Sequence, residues 1–151
     1  MSNSQPIQKT AVILNSSTNW DKWLEIVKTK AIRGEIWSFV DPAIEKDKLS
    51  TLKQPDVPTT AIVNSDKIKF SELSKDEKEE LKLLQFTYKY SLTQYECQKT
   101  SLTSFQSFIQ ETVSQTNLLY TFKQDMPYDM LITLKQCIVP IDEARELELA
   151  K

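Results

Sequence analysis

The sequence predicts an all-α fold. The expected architecture is a helical bundle around one long central helix at about 74–113, with a short aromatic-rich helical pair before it and C-terminal helices after it. Three observations predict it. The 151 residues contain one glycine, whereas sheets and phosphate-cradling loops draw on glycine for turns with positive φ. No proline interrupts the chain between Pro58 and Pro127. Within that stretch Leu81, Tyr88, Tyr95, Leu102 and Ile109 recur every seven residues, with Leu84 and Phe105 on the neighbouring line. That is a helical period sustained over successive intervals.

Residues 1–17 read as a polar, flexible tail, and the apolar run at 11–14 is too short to assign. Thr18, with Asp21 three residues on, is the best N-cap for the first helix. Trp20, Leu24, Val27 and Ala31, with Trp23 beside them, then form one aromatic-rich face. Lys22, Lys28, Lys30 and Arg33 lie mostly off that face. Gly34 is placed to end the helix as a left-handed residue. Ile36, Trp37, Phe39 and Val40 make a second, very short helix. Asp41–Pro42 stops it, because the residue before proline is pushed out of helical conformation.

Residues 43–73 read as an irregular connector. Pro55 and Pro58 exclude a helix there, and Ile62, Val63, Ile68 and Phe70 are its candidate core contacts. Ser74 and Glu77 have capping-box spacing. Asp76, Glu77, Glu79 and Glu80 load the first turns with carboxylates that offset the helix dipole. Lys75 and Glu79 can pair on the exposed side. A helix of this length spans roughly 60 Å, against a diameter of about 40 Å for a compact chain of this size. Either it breaks near Thr100, Ser101, Thr103 and Ser104, or a partner covers its end; the seven-residue line running on through Leu102 favours continuity. The same line is equally compatible with a core stripe inside one monomer. After a polar break at 114–117 come Leu118, Leu119, Tyr120 and Phe122. Asp125 or Met126 then caps a helix with Pro127 at its first position and Met130, Leu131, Leu134 and Ile138 on one face. Pro140 ends it, and Asp142 caps a last helix through Leu149 that has no C-cap signal, so the chain reads as a piece of something longer. The whole of 18–151 is expected to form a single helical domain.

The chemistry is bounded by what is missing. With no histidine, neither a Ser–His nor a Cys–His pair can be assembled. One glycine cannot build a GxGxxG or a GxxxxGK loop. Cys97 and Cys137 have no paired spacing, so no zinc site is expected, and they read as reduced, cytoplasmic thiols. The net charge of −2 supplies no basic field for nucleic acid. No apolar run approaches membrane-spanning length. Trp20, Trp23 and Trp37 could stack on bases, but on an apolar helical face they read as core. No enzyme, metal or cofactor is expected.

Three blocks together resemble a known family: NWDKWLEIVKTKAIRGEIWSFVDP at 19–42, LSKDEKEELKLLQFTYKYSLTQYE at 73–96, and FIQETVSQTNLLYTFKQDMPYDMLITLKQCIVPIDEAREL at 108–147. Their order and spacing are similar to the N-terminal part of Gag from fungal copia-type LTR retrotransposons. The family's entry motif is matched by Asn19, Trp20, Trp23, Gly34, Ile36, Trp37, Asp41 and Pro42. The third block is the more specific, especially PYDMLITLKQ followed by P-x-D-x-A-R-E. The resemblance covers most of residues 19–149. It implies a helical, capsid-like domain that assembles into shells around the element's RNA, with no catalytic residues. Trp20, Trp23, Trp37 and Leu131 would be packing positions. The chain departs from the family in lacking further capsid helices and a Cys/His knuckle, so its RNA binding is expected to be weak and non-specific. The implied function is that of a structural Gag region in virus-like particles, self-associating through the line Leu81, Tyr88, Tyr95, Leu102 and Ile109. Its partners would be itself or full-length Gag, in the cytoplasm and not on a membrane. The alternatives are a truncated or host-adopted Gag fragment that regulates assembly, and a weak RNA-binding module.

Overall fold

The computed structural model describes residues 12–139, and they form an all-α chain. In order the helices are α1 (Trp20–Arg33), α2 (Trp37–Val40), α3 (Thr60–Val63), α4 (Lys75–Glu111), α5 (Gln115–Leu118) and α6 (Pro127–Ile138). Single 3-10 turns lie at Ser17–Asn19, Lys46–Lys48, Phe70–Glu72 and Leu119–Thr121. The long helix is continuous: the Thr100–Ser104 cluster does not break it. The helix expected from Asp142 lies outside the described residues. Packing groups the described chain into two compact units, residues 12–50 with 101–139 and residues 51–100, and α4 contributes to both.

The core of the first unit is the apolar face of α1 against the end of α4 and against α6. Trp20, Trp23, Val27 and Ala31 are buried on α1, Phe105 and Ile109 on α4, and Met130, Leu131 and Leu134 on α6. Each fully buried side chain of this kind contributes about 1.5–3 kcal/mol. The tail expected at 1–17 is anchored earlier than that. Leu14 is fully buried and pairs with Val113 in an isolated parallel bridge, its N–H donating to Thr112 O at 2.8 Å. Residues 15–19 are held by Asn19, whose side-chain oxygen accepts from the N–H groups of Asn15 and Ser16 and whose amide donates to Ile13 O. The residue at the cap of α1 is therefore Asn19, not Thr18. Thr18 instead shares a hydroxyl hydrogen bond with Ser16.

The end of α1 also differs from expectation. Gly34 sits at φ −84°, and the left-handed residue is Glu35 at φ 58°. The Ile36 N–H returns to Ala31 O at 2.9 Å and the Glu35 N–H to Ile32 O at 3.0 Å, the Schellman pattern that satisfies the last carbonyls. Gly34 stands at a close approach instead: a Cβ there would lie 3.1 Å from the Ser101 Cβ. α1 and α4 meet backbone to side chain at this point. Past α2, Asp41 is extended and its carboxylate accepts from the Ala43 N–H at 2.9 Å, which completes the stop.

The polar break at 114–117 proves to be a short helix. The Ser114 side chain caps α5 by accepting from the Asn117 N–H. Asn117 itself is buried, and its amide donates to Leu14 O at 3.1 Å and Asn15 O at 3.0 Å. In the patch that follows, Leu118 and Tyr120 pack on the core, while Leu119 and Phe122 are exposed.

In the second unit, Pro55 and Pro58 keep the chain extended up to α3. The Thr60 hydroxyl donates to Ile68 O at 2.8 Å and closes a loop over 60–68. Ile62, Ile68 and Phe70 are not core residues, because all three are exposed. Phe70 instead lies under the Lys78 ammonium, 5.3 Å from its ring centroid. The start of α4 is reciprocally capped: Glu77 Oε1 accepts from the Ser74 N–H at 2.9 Å and Ser74 Oγ from the Glu77 N–H at 3.2 Å.

Candidate association surface

The seven-residue line on α4 splits by burial. Leu81 and Ile109 are buried, Ile109 completely, and Tyr88, Tyr95 and Leu102 are half-buried. Leu102 packs on the core of the first unit. Within this line Leu81, Leu102 and Ile109 are therefore used in packing within the fold. A charge at Ile109 would be buried among apolar side chains and would act on folding before it acted on any partner.

The other side of the same helix carries a second apolar row that periodicity alone did not bring out. Leu83, Phe86 and Tyr90 are 67%, 73% and 69% exposed. They follow one another at three and four residues, and Thr93 and Cys97 extend the row. At 3.6 residues per turn this row lies opposite Leu81, Tyr88 and Tyr95. Lys82, Lys89 and Glu96 flank it on one side and Glu80, Thr87 and Gln94 on the other. A signal was available in the sequence: an amphipathic helix does not ordinarily carry large apolar groups on both sides.

The residues of the entry motif are brought together, in packing roles. Trp20 and Trp23 meet at 5.5 Å between ring centroids. The Trp23 indole Nε1 donates to Thr112 Oγ1 at 2.9 Å, a fully internal bond. Asn19 holds the entry turn, Gly34 admits Ser101, and Asp41 and Pro42 end α2. Trp37 is half-buried, with the Lys28 ammonium 5.8 Å from its ring centroid. Lys30 lies 4.9 Å over Phe108. Two cations of α1 are thereby drawn onto aromatic rings of their own unit.

The carboxyl of Glu77 is held well below the usual carboxylate range. The Ser74 backbone N–H, then the Lys67 ammonium, then the Asn64 amide hold its carboxyl down to about 2. Lys67 Nζ lies 2.9 Å from Glu77 Oε1 and Asn64 Nδ2 lies 2.9 Å from Oε2. With its acceptor positions occupied by structural donors, this carboxylate works as a loop anchor. Among the described residues no group of His, Cys, Asp and Glu could hold a metal ion, and no helix is long and apolar enough to cross a membrane. Compared with known proteins, the chain matches no family model, no curated protein and no solved structure.

Proposed function

We propose that this chain is a structural, Gag-like subunit of a copia-type retrotransposon. It acts by self-association in the assembly of virus-like particles, its partners are itself or full-length Gag, and it performs no catalysis. The cytoplasm is the proposed site of assembly. The three sequence blocks support the reading. The structural observation that carries it is the pair of opposite apolar sides on α4, one used within the fold and one exposed, because exposed apolar rows of this kind usually mark contact sites. Weak pairwise contacts suffice for such a subunit, since a shell multiplies them. The test is expression of the chain alone and together with a full-length copia-type Gag, followed by electron microscopy of the particle fraction. Incorporation into particles, or a dominant change in their number or size, is expected. A chain that neither enters particles nor alters them would overturn the reading.

A further inference from the structure

We infer that the Leu83–Phe86–Tyr90 row is a homodimer seam in which two copies of α4 pair antiparallel about a two-fold axis. The inference rests on the self-association reading above, to which it adds a face, an orientation and a register.

Register comes from spacing. Glu79, Leu83, Phe86, Tyr90, Thr93 and Cys97 alternate steps of four and three residues, the pattern of a coiled-coil seam. Placing the axis on the row side of the helix, level with position 88, sets Phe86 against Tyr90 of the second copy and Leu83 against Thr93. By two-fold symmetry each contact occurs twice. The outermost layer then sets Glu79 opposite Cys97.

Orientation comes from charge. In this register Lys82 of one copy faces Glu96 of the other, twice over, because both lie on the same flank. On the opposite flank Glu80 meets the neutral Gln94. Lys89 meets its own counterpart across the axis, on a long stem that can splay into water. A parallel, in-register pair would instead stack Glu79 on Glu79 inside the seam and leave Lys82 facing Thr87. The antiparallel arrangement alone satisfies the charged flank.

Area sets the strength. Aromatic side chains bring about 150–250 Å² each, and the three row residues are each about two-thirds to three-quarters exposed. The row offers on the order of 400 Å² per copy. With the stems of Lys82, Lys89, Gln94 and Glu96 added, the pair reaches the lower end of the roughly 1,200–2,000 Å² seen in specific interfaces. The dimer is therefore weak and reversible.

Sedimentation of the full chain from micromolar to near-millimolar concentration tests it. A monomer–dimer equilibrium is expected. Phe86→Glu with Tyr90→Glu, both at exposed positions, abolishes the dimer and leaves the circular dichroism and melting unchanged. Lys82→Glu weakens it about tenfold or more, and adding Glu96→Lys restores it. In a Cys137→Ser background, Glu79→Cys forms a covalent dimer with the partner's Cys97 under diamide oxidation. A parent that stays monomeric overturns the seam. A dimer that survives Phe86→Glu with Tyr90→Glu also overturns it, while leaving self-association through another face standing. A dimer lost in that variant, with no particle incorporation, upholds the seam and rejects the Gag reading. Efficient Cys97–Cys97 crosslinking without Glu79→Cys rejects the antiparallel orientation.

Discussion

The hydroxyl of Thr112 does two jobs at once. It accepts from the Trp23 indole and donates to Phe108 O at 2.8 Å. Thr112→Val removes the acceptor of a buried donor, so a loss of about 1–3 kcal/mol is expected from chemical denaturation. In the double variant with Trp23→Phe the donor goes too, and the combined loss falls short of the sum. Trp23→Ala removes the ring itself and costs about 3–5 kcal/mol, a large part of a total that is typically 5–15 kcal/mol. A similar contrast separates two neighbours at the end of α1. The melting temperature of Gly34→Ala reads whether Ser101 yields the few tenths of an ångström that a Cβ 3.1 Å away requires. Glu35→Gly raises the melting temperature, since relief of a left-handed non-glycine residue is worth about 1–2 kcal/mol. A Gly34→Ala variant that melts higher would mean that Ser101 yields to the new Cβ, and a Glu35→Gly variant that melts lower would mean that the Glu35 side chain contributes more than its left-handed backbone costs. The sequence pointed to the right glycine for the wrong reason: a Gly one step past an apolar face fits either role, and only the position of Ser101 decides between them.

At the scale of the element, α4 was the most legible part of the chain. Its cap, its acidic first turns and its seven-residue line are local signals, and each holds. Which of its faces would be covered was not legible, because periodicity identifies a face without naming what lies against it. The same limit hid the roles of Leu14 and Asn117. One lies in a run too short for any period, and the other reads as a polar break until the carbonyls it brackets are known. The cap also gives α4 a pH signature. Glu77 has a folded pKa of about 2, below its ordinary 4.5. A depressed carboxylate contributes stability that is complete above the unfolded value and is lost as pH falls through the folded one. The second unit should therefore loosen between about pH 4.5 and 2, and Glu77→Gln should remove most of that dependence. Carbon-detected NMR titration of Glu77 and amide exchange at residues 64–78 measure both. A Glu77 midpoint near 4.5 would contradict the bracing by Ser74, Lys67 and Asn64.

For the whole molecule, charge governs the behaviour toward nucleic acid. The net charge is −2, and Lys28 and Lys30 already stand over aromatic rings. Binding to an RNA oligonucleotide, followed by fluorescence anisotropy, should be weak, indifferent to sequence and steeply salt-dependent. Submicromolar affinity that survives about 200 mM salt would favour the RNA-binding alternative. The functional reading rests on the three sequence blocks and the exposed row, and the particle and crosslinking experiments address these separately.

The bracket of Asn117 on Leu14 and Asn15 spans 103 and 102 positions of sequence, and the bond from Trp23 to Thr112 spans 89. Synthesis runs at about 5–20 residues per second. The side of α1 that carries Trp20 and Trp23 is thus synthesised roughly 5–20 seconds before the residues that cover it. Once it emerges, and until those residues follow, it is a bare aromatic surface on a growing chain, open to chaperones and to neighbouring nascent copies on the same message.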